Sequence, residues 1–123
     1  MKVERADWHL EKGRRRTKVL LTGWRLGDDL LVCLYNQNSH LGAVAVAEYD
    51  HQAGRASSSV ITLRGHRDDE IAKKEAHNIA RLTREKVCVI VGIHLDNISK
   101  QEIAEVMENA RGLVGELMGL IAK

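Results

Sequence analysis

Phenylalanine and proline are absent from this 123-residue sequence, and its aromatic residues are only two Trp and two Tyr. So few rings argue against a base-stacking platform for single-stranded nucleic acid. An excess of one charge is lacking too: 19 basic residues stand against 17 acidic ones, a net +2 too balanced to imply nucleic-acid binding. Cysteine is limited to Cys33 and Cys88, both inside apolar, strand-like runs. Buried free thiols in a reducing compartment are expected, rather than a disulfide. No uncharged run approaches the roughly 18 residues needed to cross a bilayer. The opening "MKVERADWHLEKGRRR" has no apolar signal-peptide core. These absences predict a soluble, cytoplasmic protein with neither a nucleic-acid nor a membrane partner.

What is present reads as a single domain over residues 1–123, long enough to bury a core without staples. Residues 1–13 are polar around Trp8 and suit an edge strand or an arm. "TKVLLTGWRL" (17–26), the turn "GDD" (27–29) and "LLVCLYN" (30–36) predict a hairpin. "LGAVAVAEYD" (41–50) and "SSSVITLRG" (57–65) predict two further strands. The apolar period then changes from 2 to 3.6. A helix is expected over 68–85, with Ile71, Ala72, Ala76, Ile79, Ala80 and Thr83 on one stripe. "KVCVIVGIH" (86–94) is apolar on both faces and reads as a central strand. Ser99 and Glu102 have capping-box spacing ahead of a long amphipathic helix.

The order β-β-β-β-α-β-α predicts an α+β two-layer sandwich: a mainly antiparallel sheet with both helices on one face. Leu31, Cys33 and Tyr35 alternate with Leu30, Val32 and Leu34, so the second face is apolar as well. A homodimer is the simplest way to cover it. Gly112, Gly115 and Gly119 weaken the last helix and suggest close packing there, against the sheet or a second subunit.

The chemistry-bearing residues gather at junctions. His40 ("NSHLGAV"), His66 ("LRGHRDDE") and His94 ("GIHLDN") each lie between elements, whereas His9, His51 and His77 lie in polar, solvated surroundings. Three imidazoles would suit a zinc site with an open position, but their spacings contain no HxH or HxxxH pair. An anion is a second possibility. The first helix starts with Asp68, Asp69 and Glu70, which oppose an anion, while Asn97 to Lys100 leave the second helix start more permissive. Arg64, His66 and Arg67 add positive charge. No glycine-rich nucleotide loop is present. A hydrolase using Ser39 or Ser57–Ser59 with a histidine and Asp96 is a third reading, without a nucleophile-elbow sequence. The basic run "GRRRTK" (13–18) suits a solvated strand end or a docking patch for an acidic partner or phosphate.

Three segments in order carry a resemblance: "SHLGAVAVAEYD", "SSSVITLRGHRDDEIAKKEAHNIARLT" and "VCVIVGIHLDNISKQEIAEVMENARGLVGEL". They resemble the LpdD-like family, small proteins associated with UbiD-type hydroxyaryl decarboxylases and regarded as prenylated-flavin chaperones. The resemblance spans about residues 15–118. It implies a fold like the proteasome-assembly chaperones, a dimer, and no catalysis of its own. It further implies that reduced prenylated FMN, or FMN, is received from a flavin prenyltransferase and handed to a UbiD-type decarboxylase. His40, Gly42, His66, Arg67, His94, Asp96 and Asn97 are the expected cofactor-binding residues, with no metal ligands and no catalytic residues. The flavin phosphate would suit His66, Arg67 and the Lys100 end; the ring would suit a wall of Gly42, Ala43 and Ala45. The alternatives are a small hydrolase or metal-dependent enzyme using His40, His66 and His94, and a dimeric interaction module without a small ligand.

Overall fold

A computed structural model describes residues 5–63 and 68–122. Strands β1 (Trp8–Lys12), β2 (Val19–Leu26), β3 (Asp29–Tyr35), β4 (Ala43–Asp50) and β5 (Arg55–Thr62) precede helix α1 (Asp68–Thr83). Strand β6 (Val87–Gly92) and helix α2 (Lys100–Ile121) follow, and a 3-10 turn, Arg15–Thr17, links β1 to β2. The α+β expectation holds. The N-terminal segment forms an edge strand, so β1 joins the order ahead of the four expected strands.

The sheet runs β1-β2-β3-β6-β4-β5. Strands β2 and β3 form the expected hairpin around Gly27, whose φ of +63° suits glycine. The next pairing differs from simple hairpin order. β3 and β4 are not partners; β6 inserts between them, parallel to β3 and antiparallel to β4. Its sequence accounts for this, because Val87, Val89 and Val91 are buried on one face while Cys88 and Ile90 fill the other. A strand apolar on both faces is most stable in the middle of a sheet.

Both helices pack on one face. Leu21, Leu30, Val32, Leu34, Val89 and Val91 meet α1 and α2 from the sheet side, all at 0–1% exposure. From α1 come Ile71, Ala72, Ala76, Ile79 and Ala80, and from α2 Val106, Ala110, Leu113, Val114 and Leu117. The capping box at Ser99 is present: its hydroxyl accepts from the Glu102 amide, and the Glu102 carboxylate accepts from the Ser99 amide.

The second face of the sheet is left uncovered by the described residues. Leu31, Cys33 and Tyr35 are half-buried there, while Val46 and Ile61 are 54% and 66% exposed. Cys33 and Cys88 therefore lie half-buried on the open face and not in the core; both are free thiols. The alternation of β3 and β6 puts them opposite the helix-facing residues. Of the α2 glycines, Gly112 lets the Lys12 side chain cross the helix, since a Cβ would meet Lys12 Cδ at 2.8 Å. A Cβ on Gly115 or Gly119 would meet nothing within 4 Å among the described residues, so packing against those residues does not account for them.

Candidate ligand-binding site

The sheet topology brings four segments to one end of the molecule. The C-terminal ends of the parallel pair β3 and β6 lie side by side. The antiparallel neighbours β2 and β4 begin at that same end. The turn before β2, the β3–β4 loop, the start of α1 and the β6–α2 loop therefore converge. Three of these carry the residues singled out in the sequence.

Asn36 fixes the first contact. Its buried amide group donates to the His94 carbonyl at 2.8 Å and accepts from the His94 amide at 3.2 Å, extending the β3–β6 pairing by one side chain. The His40 and His94 rings then lie 5.3 Å apart, tilted by 59°. His94 Nε2 is 2.9 Å from Asp96 Oδ1, with the two side chains 48% and 85% exposed. A polar contact so open to water contributes little to stability. Asn97 takes a left-handed φ of +52°, which asparagine tolerates better than most residues. Local structure thus accounts for Asn97 as a turn residue and for Asp96 as a partner of His94.

Asp68, expected only as a helix-start residue, is the buried member of the cluster at 3% exposure. Its Oδ1 accepts from the Ile93 amide at 3.4 Å, and its Oδ2 has no hydrogen-bond partner among the described residues. Burial pushes the carboxyl pKa above its ordinary value, opposed by the Ile93 amide and by His40 and His94. Two glycines make the close approach possible. A Cβ on Gly42 would overlap the Asp68 carboxylate, standing 2.7 Å from Cγ, and one on Gly92 would overlap the His40 carbonyl. Asp68 and Asn36 were not among the expected site residues. The acidic run and the strand-ending amide were the available signals, and both also fit ordinary capping and turn chemistry.

Beside this cluster, the open sheet face carries a groove of about 460 Å³. Trp24, Cys33, Tyr35, His40, Leu41 and Ile90 line it. Half of the chain's few aromatic residues thus stand in one groove, and Tyr35 Oη is 2.7 Å from Thr22 Oγ1. Ala43 and Ala45 do not form the expected ring wall: both are fully buried against the helices, because their positions in β4 face the core. The structure brings together His40, Gly42, His94, Asp96 and Asn97; His66 and Arg67 lie outside the described residues.

The Ser57–Ser59 run lies away from this cluster, whereas Ser39 lines the groove beside His40. Ser58 pairs with Ala47, which in turn pairs with Val87 at the far end of β6. That is five residues, about 17 Å, from Gly92. Among the described residues no group of three His, Cys, Asp or Glu side chains has metal-binding geometry.

A family model described as "Prenylated flavin chaperone LpdD-like domain" matches residues 13–122. The chain belongs to that family. The match covers all the elements of this LpdD-like protein except β1. Among solved structures, the yeast protein of a crystal structure described as a "Novel Chaperone Complex for Yeast 20S Proteasome Assembly" shares the fold, with a TM-score of 0.54 and 12% identity over 94% of each chain. At that identity the likeness concerns the fold alone. A search of curated proteins gave no match. No helix among the described residues is long and apolar enough to cross a membrane.

Proposed function

We propose that this protein is a non-catalytic carrier of reduced prenylated FMN, or of FMN. In this reading it accepts the cofactor from a flavin prenyltransferase and delivers it to a UbiD-type decarboxylase. The observation that carries the proposal is the groove itself. An apolar trough bearing Trp24 and Tyr35 ends at His40, with His94 and the buried Asp68 behind it. A flat, amphipathic ring needs an apolar bed and a few fixed polar groups at one edge. Trp24, Tyr35 and Ile90 supply the bed; His40, His94 and Asp96 supply the edge. Asn36 and Asp68 act as positioning residues: Asn36 holds the β6 exit against the end of β3, and Asp68 holds it against the start of α1. Family membership supports the same chemistry.

The open sheet face favours a homodimer, in which a second copy covers Val46 and Ile61. The test is to mix the purified protein with reduced prenylated FMN, and separately with FMN, under nitrogen. A spectral shift with co-elution of one flavin is expected; retention of neither rejects the carrier reading.

A further inference from the structure

We propose that the cavity beside the turn before β2 is a phosphate-monoester site. It has a volume of about 470 Å³ and is walled by Arg15, Arg16, Lys18, Leu20, Leu95 and the 36–38 turn. Three cations and three side-chain amides (Asn36, Gln37, Asn38) line it, and no carboxylate does. That donor set has the chemistry of an oxyanion receptor: guanidinium groups bind phosphate bidentately and amides donate to the remaining oxygens.

The cations are not equivalent. Arg16 is committed, donating to Glu102 and to the Asp96 carbonyl, so it ties the turn to the β6–α2 loop. Lys18 pairs at 2.9 Å with Glu11, and both side chains are well exposed. Arg15 makes no ion pair among the described residues, and it holds a left-handed φ of +55°. The cavity is much larger than inorganic phosphate, and the Leu20 and Leu95 walls suit an organic group attached to the ester.

The site adjoins the flavin groove. Leu20 in this cavity is paired in register with Tyr35 in the groove. The four extended steps from Lys18, just before β2, to Thr22 span about 13 Å, the scale of a ligand whose anionic end and ring are joined by a short polyol. The second part of the proposal rests on the flavin reading: the phosphate end of FMN occupies the Arg15–Lys18 cavity, and not the Lys100 end of α2.

The experiment uses the full chain and an Arg15→Gln/Lys18→Gln double variant, both surface changes. Inorganic phosphate is titrated first, followed in an ¹⁵N–¹H correlation spectrum. Saturable shifts at residues 15–18 and 36–38 in the wild type, absent from the double variant, are expected. Absence of such shifts in the wild type, or equal shifts in the variant, overturns the site whatever the flavins do. Reduced FMN and reduced riboflavin, which differ by the phosphate, are then compared. Loss of two charge-assisted contacts should weaken FMN binding about tenfold or more and leave riboflavin within about twofold. An FMN-to-riboflavin preference unchanged in the variant overturns the placement of the flavin phosphate. If neither flavin binds while phosphate still maps to the cavity, the carrier reading falls and the anion site stands.

Discussion

Gly92→Ala probes the packing that creates the site. Gly92 ends β6 beneath the β3–β4 loop, and a Cβ there would overlap the His40 carbonyl oxygen, standing 2.9 Å from its carbon and 3.4 Å from the His40 amide nitrogen. Carbon atoms settle at about 3.5–4.0 Å, so the His40 main chain must retreat by about an ångström. A backbone cannot rotate aside as a side chain can. This one is also tethered two residues on, where the Gly42 amide donates to Val91 at 3.0 Å. Overpacking of this kind costs about 1–3 kcal/mol, which for a chain of this size lowers Tm by roughly 5–15 °C. The His40–His94 spacing should open as well, so flavin affinity falls below the wild-type value at temperatures where the variant is still folded. Gly115→Ala is the internal control: that glycine is exposed in mid-helix with nothing within 4 Å, and alanine there should stabilise by about 1 kcal/mol. Thermal unfolding by circular dichroism reads both. An unchanged or raised Tm for Gly92→Ala refutes the close-packing argument.

Other perturbations have equally definite outcomes. Burial raises the carboxyl pKa of Glu75, as it does that of Asp68. A folded-state pKa above the unfolded value means that the folded protein holds more protons in that window, so stability is greatest at low pH and falls as pH rises through it. Glu75→Gln should flatten that fall and stabilise the protein at neutral pH by about 1–2 kcal/mol, as read by urea titrations at several pH values; a steeper fall would reverse the sign. Asp68→Ala removes the acceptor of the Ile93 amide and should cost about 1–3 kcal/mol, with a larger loss of flavin affinity than of Tm. If the open face is the proposed dimer interface, the wild type should sediment as a dimer and Ile61→Glu as a monomer; a monomeric wild type, or a dimer unaltered by the change, would refute that interface.

Much of the fold was legible because pattern and packing agree. The period-2 alternation of β3 and β6 and the i, i+3, i+4 stripe of α2 each face the core as expected. The pairing of β6 between β3 and β4 was less legible, since sequence order carries no information about which non-local ladder forms. His40, Gly42 and His94, singled out by their junction positions, lie together at one end of the sheet. Asp68 and Asn36 were not singled out for the site, because a buried carboxyl and a strand-ending amide resemble ordinary caps until their partners, the Ile93 and His94 backbones, are seen. The ring wall was misassigned to Ala43 and Ala45 because β4 alternates the other way, sending the alanines to the core and the valines to the open face.

The carrier reading stands most directly on where a flavin lands. The chain has only two indole N–H groups: that of Trp24 borders the open-face groove, whereas Trp8 on the edge strand packs against the core. Titrating ¹⁵N-labelled protein with reduced prenylated FMN under nitrogen should shift the Trp24 indole and the His40 and Gly92 amides saturably, with the Trp8 indole unmoved. No saturable shift, or shifts gathered around Ser57–Ser59 at the opposite end of the sheet, would contradict it.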